Sequence, residues 1–183
     1  MILSDTEIKG YIKDKKIVVS PAPNFKEQLS GASLDLRLGS EFRMFDPQST
    51  IIDPKNKKEC TTFHKVSKNG KFVVHPGEFV LGITEEVVGI DNTLCARIDG
   101  KSSVGRMGVV VHSTAGHVNP GWKGKLTLEI SNIGRIPVIL YPGMRICQLV
   151  FEKLTSPAQE GYNGKYQNQK NPQESKISRE KIK

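Results

Sequence analysis

From Phe72 to Leu154 the chain is a succession of short apolar runs cut by turn residues: FVVHPGEFVLGIT, LCARIDG, GVVVHST, KLTLEIS, IPVILYPG and RICQLVFEKL. Three of the cuts, HPGE, NPGW and YPGM, are built on Pro-Gly. There proline presets φ and glycine accepts the positive φ that tight turns require. Closely spaced strands separated by such turns predict an all-β barrel or sandwich, not a parallel α/β sheet. With 183 residues the chain has the length of about one domain, and roughly 70% of its unfolded surface could be buried.

The first third fits the same reading. SDTEIKGYIKD, residues 4–14, predicts a short helix: Ser4 can cap it, Glu7 completes a capping box, and Ile8, Tyr11 and Ile12 share a face. KIVVSPAPN reads as a strand ended by prolines. In GASLDLRLGSEFRMFD, Leu34, Leu36 and Leu38 alternate with Asp35 and Arg37, which predicts a half-buried strand. Residues 46–71 are polar, with DPKNKKE in their middle, and predict a loop or irregular hairpin. After Leu154 the alternation stops. TSPAQEGYNGKYQNQKNPQESKISREKIK has the composition of a disordered tail, but Tyr162, Tyr166, Lys165 and its glutamines also suit a segment that orders over a ligand. The division is therefore a β domain over residues 1–154 and a tail over 155–183.

Several function classes are disfavoured. The apolar runs are short and broken by charges, which argues against a helical membrane span. The N-terminus turns charged at once and does not read as a secretory signal. Cys60, Cys95 and Cys147 have no tight spacing and read as buried, reduced thiols of a cytoplasmic protein. The net charge of +8 suits a polyanion. The basic tail does not interleave aromatics with its cations, so nucleic acid is the weaker reading and a nucleoside triphosphate the better one.

Two segments carry chemistry. In KLTLEIS, Lys125, Thr127 and Glu129 share one face and Leu126, Leu128 and Ile130 the other. By alternation alone Glu129 is a solvent-facing glutamate. GKSSVGRMG, residues 100–108, sets two serines between glycines, with Lys101 and Arg106 close by; amides, hydroxyls and cations so arranged suit phosphate oxygens. The order is not that of a Walker loop. The H-x-E and P-C-x-x-C of a zinc cytidine deaminase do not occur. His64, His75, His112 and His117 lack metal-ligand spacing.

LSDTEI, GASLDLRLGSEFR, HPGEFVLGIT, DGKSSVGRMG, HSTAGHVNPGWKGKLTLEISN, LYPGMRICQLVF and GKYQNQ together resemble, in order and spacing, the dCTP deaminases of the trimeric dUTPase-like superfamily. The resemblance covers most of the chain. It implies a mainly β fold, a dUTPase-like distorted barrel with a short N-terminal helix, assembled as a homotrimer with sites between subunits. It implies a deaminase without zinc, acting on dCTP and yielding dUTP, with magnesium carried by the triphosphate.

By position, Glu129 corresponds to the general acid/base. Ser102 and the carbonyl of Ala115 correspond to the groups that hold the attacking water, and Arg106 to an arginine beside the glutamate. Lys101, Ser103, Val104 and Gly105 fall in the triphosphate loop, and Thr127 and Leu128 line the base. Tyr162, Lys165 and Gln169 correspond to residues that close over the nucleotide. Two branches of the family exist, one stopping at dUTP and one cleaving it on to dUMP and pyrophosphate. Gly116 resembles the second branch, whereas Trp122 resembles the first. Asn119 stands where an aspartate is usual. An amide can still bond a sugar 3′-hydroxyl but cannot act as a general base, so the cleaving step is expected to suffer more than deamination. His117, two residues before Asn119, is a candidate substitute base. A pyrophosphatase acting only on dUTP and an inert nucleotide sensor are the remaining alternatives.

Overall fold

The structure is a computed structural model and describes residues 1–46, 51–55 and 59–180. In chain order the elements are α1 (Asp5–Lys13), β1 (Ile17–Ser20), α2 (Phe25–Gln28), β2 (Leu29–Ser30), β3 (Ser33–Arg37), β4 (Glu41–Phe45), β5 (Thr61–Lys65), β6 (Phe72–Val74), β7 (Phe79–Ile90), β8 (Leu94–Gly100), α3 (Ser102–Gly105), β9 (Val109–Val110), β10 (His117–Val118), β11 (Lys123–Asn132), β12 (Val138–Leu140) and β13 (Arg145–Lys153). One sheet runs β5-β4-β7-β11-β9, with β1 also on β7; a second runs β10-β8-β13-β3-β2; β6 and β12 form a ribbon. Every pairing among the described residues is antiparallel.

Local signals explain much of this. Ser4 Oγ accepts the Glu7 amide at 3.3 Å, and Glu7 Oε2 accepts the Ser4 amide at 2.9 Å, so the capping box of α1 is complete. Ile8 is buried, with Tyr11 and Ile12 packed against the core. Gly77, Gly121 and Gly143, the glycines of the three Pro-Gly turns, all have φ between +76° and +85°. Between the sheets lie Leu34, Leu36, Leu38, Leu128, Ile130, Leu149 and Phe151. Phe42 stacks on Phe72 with centroids 3.9 Å apart.

Three expectations need correction or refinement. β3 is not half-buried: Asp35, on the side away from the leucines, is 1% exposed. That face is roofed by Gln28, which donates to the Asp35 carbonyl at 3.0 Å, and by Lys101. GVVVHST is a strand only over Val109–Val110, because the chain then turns in to meet Glu129. The polar segment 46–71 contains a true strand, β5, paired with β4; part of DPKNKKE lies outside the described residues. Among the described residues no helix is long and apolar enough to cross a membrane.

β7 and β11 shape the cavity described next. Their register jumps from Lys125↔Val87 to Thr127↔Ile83, so β7 carries the extra residues of a bulge. The Leu126 amide finds Thr84 Oγ1 at 2.9 Å, and that hydroxyl donates to the Glu86 carbonyl at 2.8 Å. The bulge is thus fully hydrogen-bonded at Leu126, as a buried backbone requires. Beyond it Leu126, Leu128 and Ile130 point into the core and Thr127 and Glu129 point away from it.

Candidate active site

Glu129 is half-buried, not solvent-facing. Its Oε2 accepts the Thr114 amide at 3.1 Å and the Thr114 hydroxyl at 2.8 Å. The loop that supplies Thr114 also brings Ala115 to the same cavity, a space of about 500 Å³. Glu129, Thr127, Ala115, Asn119, His117 and Trp122 line its barrel side, and Tyr162, Tyr166, Gln169 and Gln173 line its tail side. Phe45, Phe79 and Leu81 make the rest of its wall largely apolar, so one carboxylate and a few amides and hydroxyls face a mostly hydrophobic recess, the usual composition of a small-molecule site.

The tail reaches the cavity by pairing with the start of β11. The Tyr162 amide donates to the Pro120 carbonyl at 2.7 Å, and its ring tilts against Trp122 at 5.3 Å. Gln167 accepts the Lys123 amide at 3.0 Å and donates to the Gly121 carbonyl at 2.9 Å. The Lys125 amide donates to the Gln169 carbonyl at 2.9 Å. Close approach is possible because two positions lack a Cβ. At Gly121 one would stand 2.5 Å from Gly161 Cα, and at Gly124 2.9 Å from the Gln169 nitrogen.

A second pocket, of about 420 Å³, opens at the β8–α3 corner. Lys101, Ser102, Ser103 and Gly105 line it, together with Gln148 from β13. His112 lines both pockets, and both its ring nitrogens are buried without a hydrogen-bond partner.

The sequence-selected residues therefore fall into two groups. Glu129, Ala115, Asn119, Thr127, Tyr162 and Gln169 meet in the first cavity. Ser102, Lys101, Ser103 and Gly105 meet in the second, so within one chain Ser102 does not join Glu129. Arg106 is exposed and forms no ion pair among the described residues; it does not stand beside Glu129 in the same chain. The Val104 and Leu128 side chains belong to the core, leaving only their backbone groups for a ligand. Lys165 does not line the cavity. Its ammonium bonds the Glu180 carboxylate, and that bond holds its pKa above the usual lysine value. Gln148 and Asp35 were not singled out by sequence. Both lie in segments that carry the resemblance, but alternation gave neither a role; strand register brings them to the loop, with Gln148 opposite Asp35.

Residues 2–154 match the family model described as dCTP deaminase-like, and the chain belongs to that family. A relative from Dictyoglomus turgidum, named dCTP deaminase, dUMP-forming, is 48% identical over 185 residues, covering 97% of this chain and 95% of the relative. One of the same name from Methanobrevibacter smithii is 45% identical over 185 residues, covering 96% and 95%. The crystal structure of 2′-deoxycytidine 5′-triphosphate deaminase from Agrobacterium tumefaciens superposes with a TM-score of 0.65 at 23% identity, over 82% of this chain and 48% of that one. The fold is shared, and this chain spans about half the length of that protein.

Proposed function

We propose that the protein deaminates dCTP to dUTP and ammonia by direct hydrolysis, with Glu129 as the general acid/base. The observation that carries this is the placement of Glu129: a lone strand carboxylate, hydrogen-bonded by Thr114, in a largely apolar cavity covered by the tail. Glu129 takes a proton from water as the oxygen bonds C4 of the cytosine. It returns that proton to N3, then passes the second water proton to the departing amine as the C4–N bond breaks. Thr127 and the backbone at Leu128 present the edge of β11 to the base. Tyr162 and Gln169 cover the nucleotide, and Lys165 joins them once it leaves Glu180. Asn119 bonds the sugar 3′-hydroxyl.

In this reading Ser102, the Ala115 carbonyl and Arg106 hold the water and steady the carboxylate, while Lys101, Ser103, Val104 and Gly105 receive the triphosphate, which brings magnesium with it. Because the two groups open into separate pockets of one chain, the complete site takes Glu129 from one copy and Ser102 and Arg106 from another, as a homotrimer would provide.

A second reading, cleavage of dUTP onward to dUMP and pyrophosphate, is favoured by the names of the relatives above. It is favoured also by Gly116, where a Cβ would stand 3.0 Å from the Ile98 carbonyl, so a bulkier residue would need the loop to shift. Asn119 opposes it for want of a base.

The test is one incubation of the protein with dCTP and magnesium, following ammonia, dUTP, dUMP and pyrophosphate, with Glu129→Gln in parallel. Ammonia with accumulating dUTP is expected. Ammonia with dUMP and pyrophosphate establishes the second reading. No ammonia, or ammonia unchanged by Glu129→Gln, rejects the mechanism.

A further inference from the structure

β8 ends at Gly100, and the first side chain of the loop that follows folds back across the sheet. Lys101 Nζ lies 2.5 Å from Asp35 Oδ2, and Arg145 Nη1 lies 3.3 Å from the same oxygen. Asp35 is 1% exposed, and its second oxygen, Oδ1, is buried with no hydrogen-bond partner. A carboxylate in that position is costly to bury and is tolerated only because cations meet it. The acid is therefore of interest for what it holds.

What it holds is the entrance to the loop. Strand register sets Gln148 opposite Asp35 on one side and opposite Asp99 on the other, so these three side chains share the face over which Lys101 returns. Gln148 and Lys101 then line one pocket with Ser102, Ser103 and Gly105. The Lys101 side chain is 21% exposed: its tip is fixed and its flank is open to that pocket.

We propose that Asp35 is a positioning residue for polyphosphate binding. It fixes the Lys101 ammonium at the floor of the pocket, and with it the turn from Lys101 to Arg106. This deepens the nucleoside triphosphate reading above and rests on it. A lysine is a flexible stem whose ordering opposes binding. Here that ordering is completed during folding, so a polyphosphate chain meets a preset loop. Arg145 shares the carboxylate and limits how far the lysine can rotate away.

A competing effect makes the idea testable. Removing one negative charge should by itself favour a polyanion, so charge and positioning predict opposite changes. Full-length protein, Asp35→Asn, Lys101→Met and the double variant are compared for dCTP turnover and for calorimetric binding of inorganic tripolyphosphate. Asp35→Asn is expected to raise KM for dCTP about tenfold and weaken tripolyphosphate binding similarly, with kcat changed by less than about threefold. In the Lys101→Met background the same substitution is expected to change either affinity by less than about twofold, because the two side chains act as one unit. Tighter binding by Asp35→Asn, unchanged binding, or an equal loss in both backgrounds overturns the proposal.

Should Asp35→Asn not fold, Asp35→Glu carries the test. It keeps the charge but moves it by one methylene, and is expected to weaken tripolyphosphate binding in a protein with unaltered circular dichroism; unaltered binding overturns the proposal. Tripolyphosphate separates the two readings. Coupled loss of its binding in a protein that releases no ammonia from dCTP leaves Asp35 its role and rejects the deaminase.

Discussion

The side-chain amide of Gln169 donates to the hydroxyl of Thr127 across 2.7 Å, joining the tail to the strand that carries Glu129. Gln169 is 5% exposed, so a residue from the least regular part of the sequence is among the better-buried polar groups. Its docking depends on Gly124, whose φ of +154° and missing Cβ admit the Gln169 backbone. Gly124→Ala is expected to release the tail and leave the barrel folded. The backbone strain is about 1–3 kcal/mol. Limited trypsin digestion checks this: cleavage after Lys165 and Lys170 should accelerate about tenfold or more, as expected when local opening becomes easier by that amount, while the strands stay intact.

Asn119 lines the cavity but offers no base. Asn119→Asp is expected to raise formation of dUMP and pyrophosphate by about 10²-fold or more, the usual contribution of a positioned base. Ammonia release should change by less than about threefold. Chromatography of the nucleotide products against time measures both.

The separation of Glu129 from Ser102 within one chain makes a mixing experiment decisive. Glu129→Gln and Ser102→Ala chains should each be inactive alone, by about 10²–10⁴-fold for the lost acid/base. Unfolded together and refolded, they should regain activity under the proposed shared site, in which some mixed assemblies draw both intact groups from different copies. Failure to regain activity, with trimers formed, would place both groups of each site on one chain.

The capping box gives a pH dependence with a definite sign. The Ser4 amide, and then its hydroxyl, hold the Glu7 carboxylate below the usual glutamate range. A lowered folded-state pKa means stabilisation that is fully present above the unfolded value of about 4.3 and is lost as pH falls through the lower folded value. Thermal melts of the protein and of Glu7→Gln should therefore differ at neutral pH and converge as the solution is acidified below about pH 4.

What could be read from sequence divides by distance along the chain. Ser4 and Glu7 are three residues apart, and the Pro-Gly turns act within four, so α1 and the strand succession were legible. Leu34, Leu36 and Leu38 gave the core face of β3. Its other face was misread because the cations that meet the Asp35 carboxylate come from 66 and 110 residues away, at Lys101 and Arg145, and nothing in the local pattern marks Gln28 as a cover. Glu129 was recognisable only through the resemblance. By alternation it resembled any exposed strand residue, and the Thr114 loop that encloses it carries no local signal. The tail was ambiguous for a similar reason: its composition says nothing of Gly121 and Gly124, which make room for it 40 or so residues upstream.

The meeting of Lys101 and Arg145 at one buried oxygen of Asp35 also bears on how such a sequence can drift. A chain that loses the acid first leaves Lys101 without its carboxylate and Arg145 with only the Glu27 carbonyl. One that loses both cations first buries an unmatched charge, at about 3–5 kcal/mol in comparable cases. Substitution at any one of the three therefore carries a cost that change at another relieves. Across related chains positions 35, 101 and 145 should vary as a correlated set, and a relative with an apolar residue at 35 should lack at least one of the two bases.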